Sequence, residues 1–367
     1  MREQGVAACL LFNEPNIRYA TGTSAMPIWS MSTFVRCALV PADGRPVLFE
    51  HPNSIHRSRL AAEDVRPMNA WAFSDHAATE AGVWAVETAA AMQELGVADE
   101  PLAVDRLATP GFLALQREGV TLIDSAPVTQ AAREVKTPEE IRLFEINGAM
   151  VGEMLATFEE ALAPGVRERE LLAVLSEAML RHGGEYLATS TVCSGPNTNP
   201  WRAEATARRI EDGDLVFVDT DTVGIEGYFF CVSRTFLAGD APPAPSHHDT
   251  YRAALEWLEG VKDVIRPGLT CAEIASVAPS LPEKYLPQRY ECMIHSVGLE
   301  EESPSVCYPI DRQWNADRVI RENMALVVEL YAGEVGGDHG VKLGDEVLVT
   351  KDGVRVLAPY PFSDQLR

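Results

Sequence analysis

Asp219 and Asp221 stand two residues apart in the apolar run 218–236, VDTDTVGIEGYFFCVSRTF, and Cys231 follows twelve residues after the first of them. If that run is a strand, side chains two apart share one face, about 7 Å from each other. Two carboxylates on one face repel unless they share a cation, trap a proton or meet water. His295 in CMIHSVG and Glu329 in MALVVELY sit in equally apolar runs. A lone His there is ordinarily a satisfied core residue and a lone Glu an edge residue. Burying any one charge unpaired is costly, so their joint occurrence points to one shared pocket. The chemistry open to such a pocket is metal ligation, acid–base catalysis or the grip of a cation. Cys231 leaves three alternatives: an inert buried thiol, a zinc-type ligand, or a nucleophile activated by His295.

The elements that must position these groups are extended segments at 190–195, 214–221, 227–236, 293–299, 323–333, 340–350 and 353–359, with hairpins spanning 214–236 and 323–358. A long helix starts at Thr137-Pro138-Glu139-Glu140, where Thr serves as N-cap, Pro takes the first position and acids fill the first turn. Its apolar residues Ile141, Phe144, Ile146, Met150, Met154, Leu155 and Phe158 recur at helical spacing until Pro164-Gly165. Further helices are predicted over 168–181 and 246–265, the latter after a surface loop at 241–246. The first segment reads as short strands at 8–12, 34–40 and 43–49 with a turn at 13–22 that enters a helix near Asn16-Ile17-Arg18-Tyr19, then mixed helix and strand to about residue 124. The predicted class is α+β, with an α/β domain over 1–130 and a second domain over 131–367.

Charge narrows the partners. With 54 acidic against 31 basic residues and a net charge of −23, the chain repels nucleic acid and anionic membrane. The same acidity suits solubility or the attraction of a cationic or zwitterionic small molecule. No apolar run approaches the roughly 20 residues of a membrane span, and the N-terminus lacks a signal-type pattern, so a cytoplasmic protein is expected. The seven cysteines are widely spaced without C-x-x-C, which argues against both a disulfide framework and a zinc knuckle.

The runs GDLVFVDTDTVGIEGYFFCVSRTF, HSVG, NMALVVELY and GEVGGDHGVKLGDEVLVT resemble the creatinase/methionine aminopeptidase/aminopeptidase P superfamily, the pita-bread fold. The stretch SGPNTNPW at 194–201, the doubled aspartate and GEVGG…GVKL are similar to the branch containing the dimethylsulfoniopropionate lyase DddP. EPNIRYATG resembles the creatinase N-domain, so the likeness spans nearly the whole chain.

The resemblance implies a pita-bread C-terminal domain whose two aspartates, one histidine and two glutamates hold one metal ion or a pair. Asp219 and Asp221 match the first aspartate region, His295 the histidine and Glu329 the first glutamate. Cys231 stands where the second aspartate is expected, and Gly344 where the last glutamate is. Glu346 shares the strand parity of Gly344 but lies about 7 Å along, and Asp345 faces the other way. The cage is therefore expected to hold either one divalent ion (Zn, Fe or Mn) on Asp219, Asp221, His295 and Glu329, or none. Without a metal, Asp219, Asp221 and Glu329 would bind a guanidinium, ammonium or sulfonium group.

Glu301 matches an acidic residue of the DddP-like branch read as catalytic base, where desolvation beside other acids would raise its pKa. Tyr290 matches a tyrosine that would orient substrate or donate a proton. Trp201 replaces a histidine of the peptide-cleaving relatives and would stack on a cationic substrate. The expectation is an enzyme cleaving a C–N or C–S bond of a small polar or zwitterionic substrate, with His295 and Glu301 as acid and base. The alternatives are a single-metal Xaa-Pro-type peptidase or dipeptidase and a non-catalytic small-molecule-binding homologue. A homodimer is implied by the same resemblance.

Overall fold

Alternating short strands and helices in the first third of the chain give way to longer, largely buried strands in the last third. The computed structural model describes residues 1–72 and 74–367, and the chain divides into two units, Met1–Ala132 and Arg133–Arg367.

In the first unit, β1 (Ala8–Leu11), β2 (Cys37–Pro41), β3 (Val47–Glu50), β4 (Asp64–Pro67), β5 (Leu102–Val104) and β6 (Leu122–Asp124) form one sheet in the order β4-β3-β2-β1-β5-β6. The sheet is mixed, with β1 parallel to β5 and antiparallel to β2. Leu10, Leu39, Phe49, Trp71 and Trp84 form its core on one side. The segment 13–22, expected as a turn entering a helix near Asn16-Ile17-Arg18-Tyr19, is helical over nearly its whole length, Glu14–Thr21. Pro15 falls in the first turn, where a missing N–H costs nothing, and Gly22 closes the helix at φ 66°. The Asp105 carboxylate accepts from the backbone N–H of Phe12 and Asn13, fixing the entry.

The second unit opens with the helix Pro138–Ala161, and Thr137 and Glu140 make the reciprocal capping bonds that the sequence predicts. Its strands are β7 (Tyr186–Leu187), β8 (Val192–Ser194), β9 (Leu215–Asp219), β10 (Thr222–Val223), β11 (Phe229–Phe230), β12 (Ser233–Leu237), β13 (Ile294–Val297), β14 (Glu301–Val306), β15 (Ala325–Gly333), β16 (Gly340–Thr350) and β17 (Gly353–Val356). A large antiparallel sheet runs β14-β13-β15-β16-β12-β9-β8, with β17 on β16, and a small sheet runs β11-β10-β7. The helices Pro138–Ala161 and Glu168–Arg181 pack with Val216, Val218, Phe236 and Val327. The helix Pro245–Val264 packs with Leu326, Val328 and Leu330. Alternate residues of β15 thus feed two cores, which is why its sequence reads as a continuous apolar run.

Two local departures from the expected strands matter for the site. The segment 227–236 is not one strand, because the chain leaves the small sheet after Phe230 and enters the large one at Ser233, with Cys231 at the crossing. Likewise β9 ends at Asp219, and Asp221 lies beyond it with φ 26°, a left-handed setting that Asp tolerates better than most residues. Strand parity therefore does not set the relation of Asp221 to Asp219.

Candidate active site

Register across four strands builds the centre. Asp219 on β9 faces Ser233 on β12, Ser233 faces Gly344 on β16, and Gly344 faces Glu329 on β15. This row places two carboxylates at its ends and a residue without a side chain between them. Into that gap comes Lys342, two residues from Gly344 on the same face of β16. Its Nζ donates to Glu329 Oε2 and lies 3.1 Å from Asp219 Oδ2, and the side chain is fully buried. The ammonium also sits 3.9 Å from the Tyr290 ring centroid and 5.1 Å from that of Trp201. Sequence alone does not single out Lys342. The signal was available, since a Lys in the apolar strand GVKLGDEVLVT poses the same burial problem as Glu329 in MALVVELY.

His295 on β13 joins the far end of the row. Its Nε2 is 3.0 Å from Glu329 Oε1 and its Nδ1 is 3.2 Å from the Ser296 carbonyl oxygen. A carbonyl can only accept, and so can an ionised carboxylate, so both ring nitrogens donate and the ring is an imidazolium. Burial opposes that charge, but the hydrogen bond and the charge of Glu329 outweigh it and raise the pKa of His295. For Glu329, burial favours the neutral acid, yet Lys342 and His295 together pull its pKa below the usual carboxylate range. His295, Glu329, Lys342 and Asp219 are thus one continuous chain of contacts.

Asp221 accepts from Thr189 Oγ1 at 2.7 Å, and burial followed by the charge of Asp219 pushes its pKa up to about 7. Cys231 Sγ lies 3.3 Å from Asp219 Oδ1, and burial with the nearby Asp219 raises its pKa far above an ordinary thiol. The thiol faces a carboxylate, and both nitrogens of His295 contact other groups rather than Cys231. Glu346 does not replace the missing ligand at 344, because its Oε2 accepts from the Cys231 backbone N–H. Its other oxygen is buried with no partner among the described residues, and burial raises its pKa well above normal. Asp345 faces the opposite side, as its parity predicts, and pairs there with Arg234 and Lys262.

A cavity of about 300 Å³ adjoins this chain, lined by Tyr290, Glu291, Cys292, His295, Glu301, Glu302, Ser305, Cys307 and Trp314. Glu301 opens β14, and the pairing of β13 with β14 brings it to the wall that carries His295, where it is exposed rather than desolvated as expected. Glu302 is consumed by Lys136 at 2.8 Å and by Arg133. Trp201 stacks on Tyr331 with ring centroids 6.0 Å apart and lies 5.3 Å from Tyr290, among the residues that surround Lys342. The cation it meets here is Lys342.

Residues 142–351 match the model of metallopeptidase family M24, and residues 1–135 match the creatinase/prolidase N-terminal domain. The chain belongs to metallopeptidase family M24. It is 32% identical to dimethylsulfoniopropionate lyase DddP of Roseobacter denitrificans over 99% of its own length and 84% of that protein's. It is 29% identical to the Xaa-Pro dipeptidase of Pyrococcus furiosus over 63% of this chain and 64% of that one. Among solved structures it is similar to an Xaa-Pro dipeptidase from Bacillus anthracis, with TM-score 0.80, 22% identity and coverage of 99% and 95% of the two chains. The prolidase from Pyrococcus horikoshii also gives TM-score 0.80, at 21% identity, covering 99% and 96%. The fold is thus the pita-bread fold of family M24, and the chain is an enzyme of the hydrolase or lyase type. No helix among the described residues is long and apolar enough to cross a membrane.

The family name implies a metal, so the donors need testing against one. Ligand atoms of Asp219, Cys231 and Glu329 lie within 4.8 Å of one another, close enough to surround an ion. Lys342 already donates to Glu329 and pairs with Asp219 at 3.1 Å, however, and the Cys231 thiol donates to Asp219. With Gly344 offering no ligand, these residues do not fit an M24-type metal pair.

Proposed function

We propose that this M24 member cleaves a C–S or C–N bond of a small zwitterion, a lyase- or creatinase-like reaction. The observation that carries the reading is the acidic, aromatic cavity in which Glu301 and His295 share a wall. Glu291, Glu301, Tyr290 and Trp314 suit a sulfonium or ammonium group through charge and ring faces. In an elimination, Glu301 takes a proton from the carbon beside the substrate carboxylate. The electron pair forms the new C=C bond, and sulfur or nitrogen leaves with its bonding pair. The His295 imidazolium faces the charge that develops on the carboxylate. Its Nδ1 proton, on the longer bond to Ser296, is the one a departing amine would take. Tyr290, held protonated by burial and by Glu329 and Asp219, orients the substrate.

Full-length similarity to DddP supports this reading, and the test is turnover of dimethylsulfoniopropionate and of quaternary-ammonium zwitterions followed by mass spectrometry. His295→Ala is expected to abolish product formation in a protein that remains folded by circular dichroism. Near-normal turnover in that variant, or no product from any probe with the wild type, overturns it.

A second reading is an Xaa-Pro-type dipeptidase using one Zn, Fe or Mn ion, favoured by the close approach of Asp219, Cys231 and Glu329. Hydrolysis of Xaa-Pro dipeptides that stops on adding a chelator would select it. Ligand-induced melting shifts without any product would instead select a binding protein. The homodimer and the cytoplasmic setting belong to the same proposal, and light scattering tests the first.

A further inference from the structure

We propose that the Lys342 ammonium is the resident cation of this site, standing as part of the chain where a carboxylate cage would hold a metal ion, so that the site works without a bound divalent ion. The inference concerns the same centre as the proposed function but does not depend on which bond is cut.

The first argument is that the oxygens of Asp219 and Glu329 are occupied. Asp219 Oδ1 accepts from Ser233 Oγ at 2.9 Å and from the Cys231 thiol at 3.3 Å, and its Oδ2 faces Lys342 at 3.1 Å. Glu329 Oε1 accepts from His295 and its Oε2 from Lys342. Asp221 Oδ2 is taken by Thr189 and Glu346 Oε2 by the Cys231 N–H, which leaves the other Glu346 oxygen without a partner among the described residues. A metal ion would have to displace these donors at several atoms together.

The second argument is charge. Two carboxylates, Asp219 and Glu329, meet the Lys342 ammonium, and all three side chains are buried. A divalent ion added beside a buried ammonium would leave the cluster with uncompensated positive charge, which burial penalises heavily.

The third argument is space. A Cβ added at Gly344 would lie 3.0 Å from Glu329 Cβ and 3.1 Å from Ser233 Oγ, so the row is closed around a residue without a side chain. Lys342 occupies the gap, capped by the rings of Tyr290 and Trp201. Lys342 is thereby a positioning residue, since it fixes Glu329, and Glu329 fixes the ring of His295.

The test is elemental analysis of the full-length protein, expressed in medium supplemented with Mn²⁺, Fe²⁺ and Zn²⁺ and purified without chelator, together with melting curves with each ion and with EDTA. The expected result is below about one tenth of an equivalent of any ion per chain and no shift of Tm in either direction. About one tightly held ion per chain, or a Tm lowered by EDTA, overturns the proposal. Lys342→Ala empties the cation position and should convert the folded chain into one that binds Mn²⁺ or Zn²⁺ with a rise in Tm. A folded Lys342→Ala protein that ignores both ions would show that Lys342 is not what excludes them. If that variant does not fold, Lys342→Arg keeps the positive charge and should remain metal-free; an ion bound there counts against the proposal. None of these readouts uses turnover, so an inactive, metal-free wild type sinks the proposed function alone. An active enzyme with a bound ion sinks this inference alone.

Discussion

The two faces of β16 carry two buried clusters of acids and bases, and one of them reaches a cavity wall through its own member His295. On one face Asp345 receives Arg234 at 2.7 Å and Lys262 at 2.6 Å, while Arg234 also donates to the carbonyls of Ser233, Gly344 and Tyr360. On the other face Lys342 binds Asp219 and Glu329, and the contacts continue to His295 at the cavity wall. The Asp345 cluster leaves neither oxygen of its acid unfilled. The Lys342 cluster has a protonated thiol, an acid with an unpartnered oxygen at Glu346, and a carboxyl at Asp221 pushed up to about 7. Buried ion pairs are thus no mark of function by themselves. What marks the site is leftover polar capacity joined to an opening.

The comparison breaks most sharply at the cavity. Glu301→Gln is expected to lower turnover by about 10²–10⁴-fold in steady-state assays while leaving the melting temperature near that of the wild type. Turnover within a few-fold of wild type would assign the base elsewhere. Asp345→Asn should act in the opposite manner, since it strands two buried cations. It should cost about 3–5 kcal/mol in urea unfolding and reduce activity only through the unfolded fraction. A selective loss of turnover in a stable Asp345→Asn protein would join the two clusters into one.

Acid sharpens the contrast further. Burial opposes the charge on Asp345, but Arg234 and Lys262 hold its pKa below the usual range. The folded state therefore binds fewer protons there than the unfolded chain. Its stabilising contribution is present above the unfolded value of about 3.9 and is lost as pH falls through the lower folded value. Urea midpoints across that window should fall for the wild type, and the gap to Asp345→Asn should close. The smallest effect is expected from Cys231→Ser, which keeps a donor to Asp219. It should cost at most about 1 kcal/mol and change turnover little, whereas abolished turnover would restore a covalent role for the thiol.

Much of the frame was legible in order along the chain. Thr137-Pro138-Glu139-Glu140 marks a helix start because capping and first-turn charge are local effects, and Thr137 and Glu140 bond as that reading requires. The strands β15 and β16 follow from apolar runs of the right length. The helix hinted at by Asn16-Ile17-Arg18-Tyr19 begins earlier, at Glu14, where the entry is held by Asp105 some ninety residues away, which a local reading does not weigh. His295 and Glu329 were legible as a pair because each is a costly charge in an apolar strand, and they meet at 3.0 Å.

Sequence by itself determined which groups would be unaffordable alone: Asp219, His295, Glu329 and, had the same rule been applied to it, Lys342. The family resemblance, not the residues alone, implies that Cys231 and Gly344 stand at ligand positions. Only the tertiary structure decided which charge answers which. The register of β9, β12, β16 and β15 sets Gly344 between two carboxylates and so makes room for the ammonium of Lys342. The physical reason is that burial cost depends on residue type and local pattern, whereas its compensation depends on distances of a few ångströms between strands far apart in the chain.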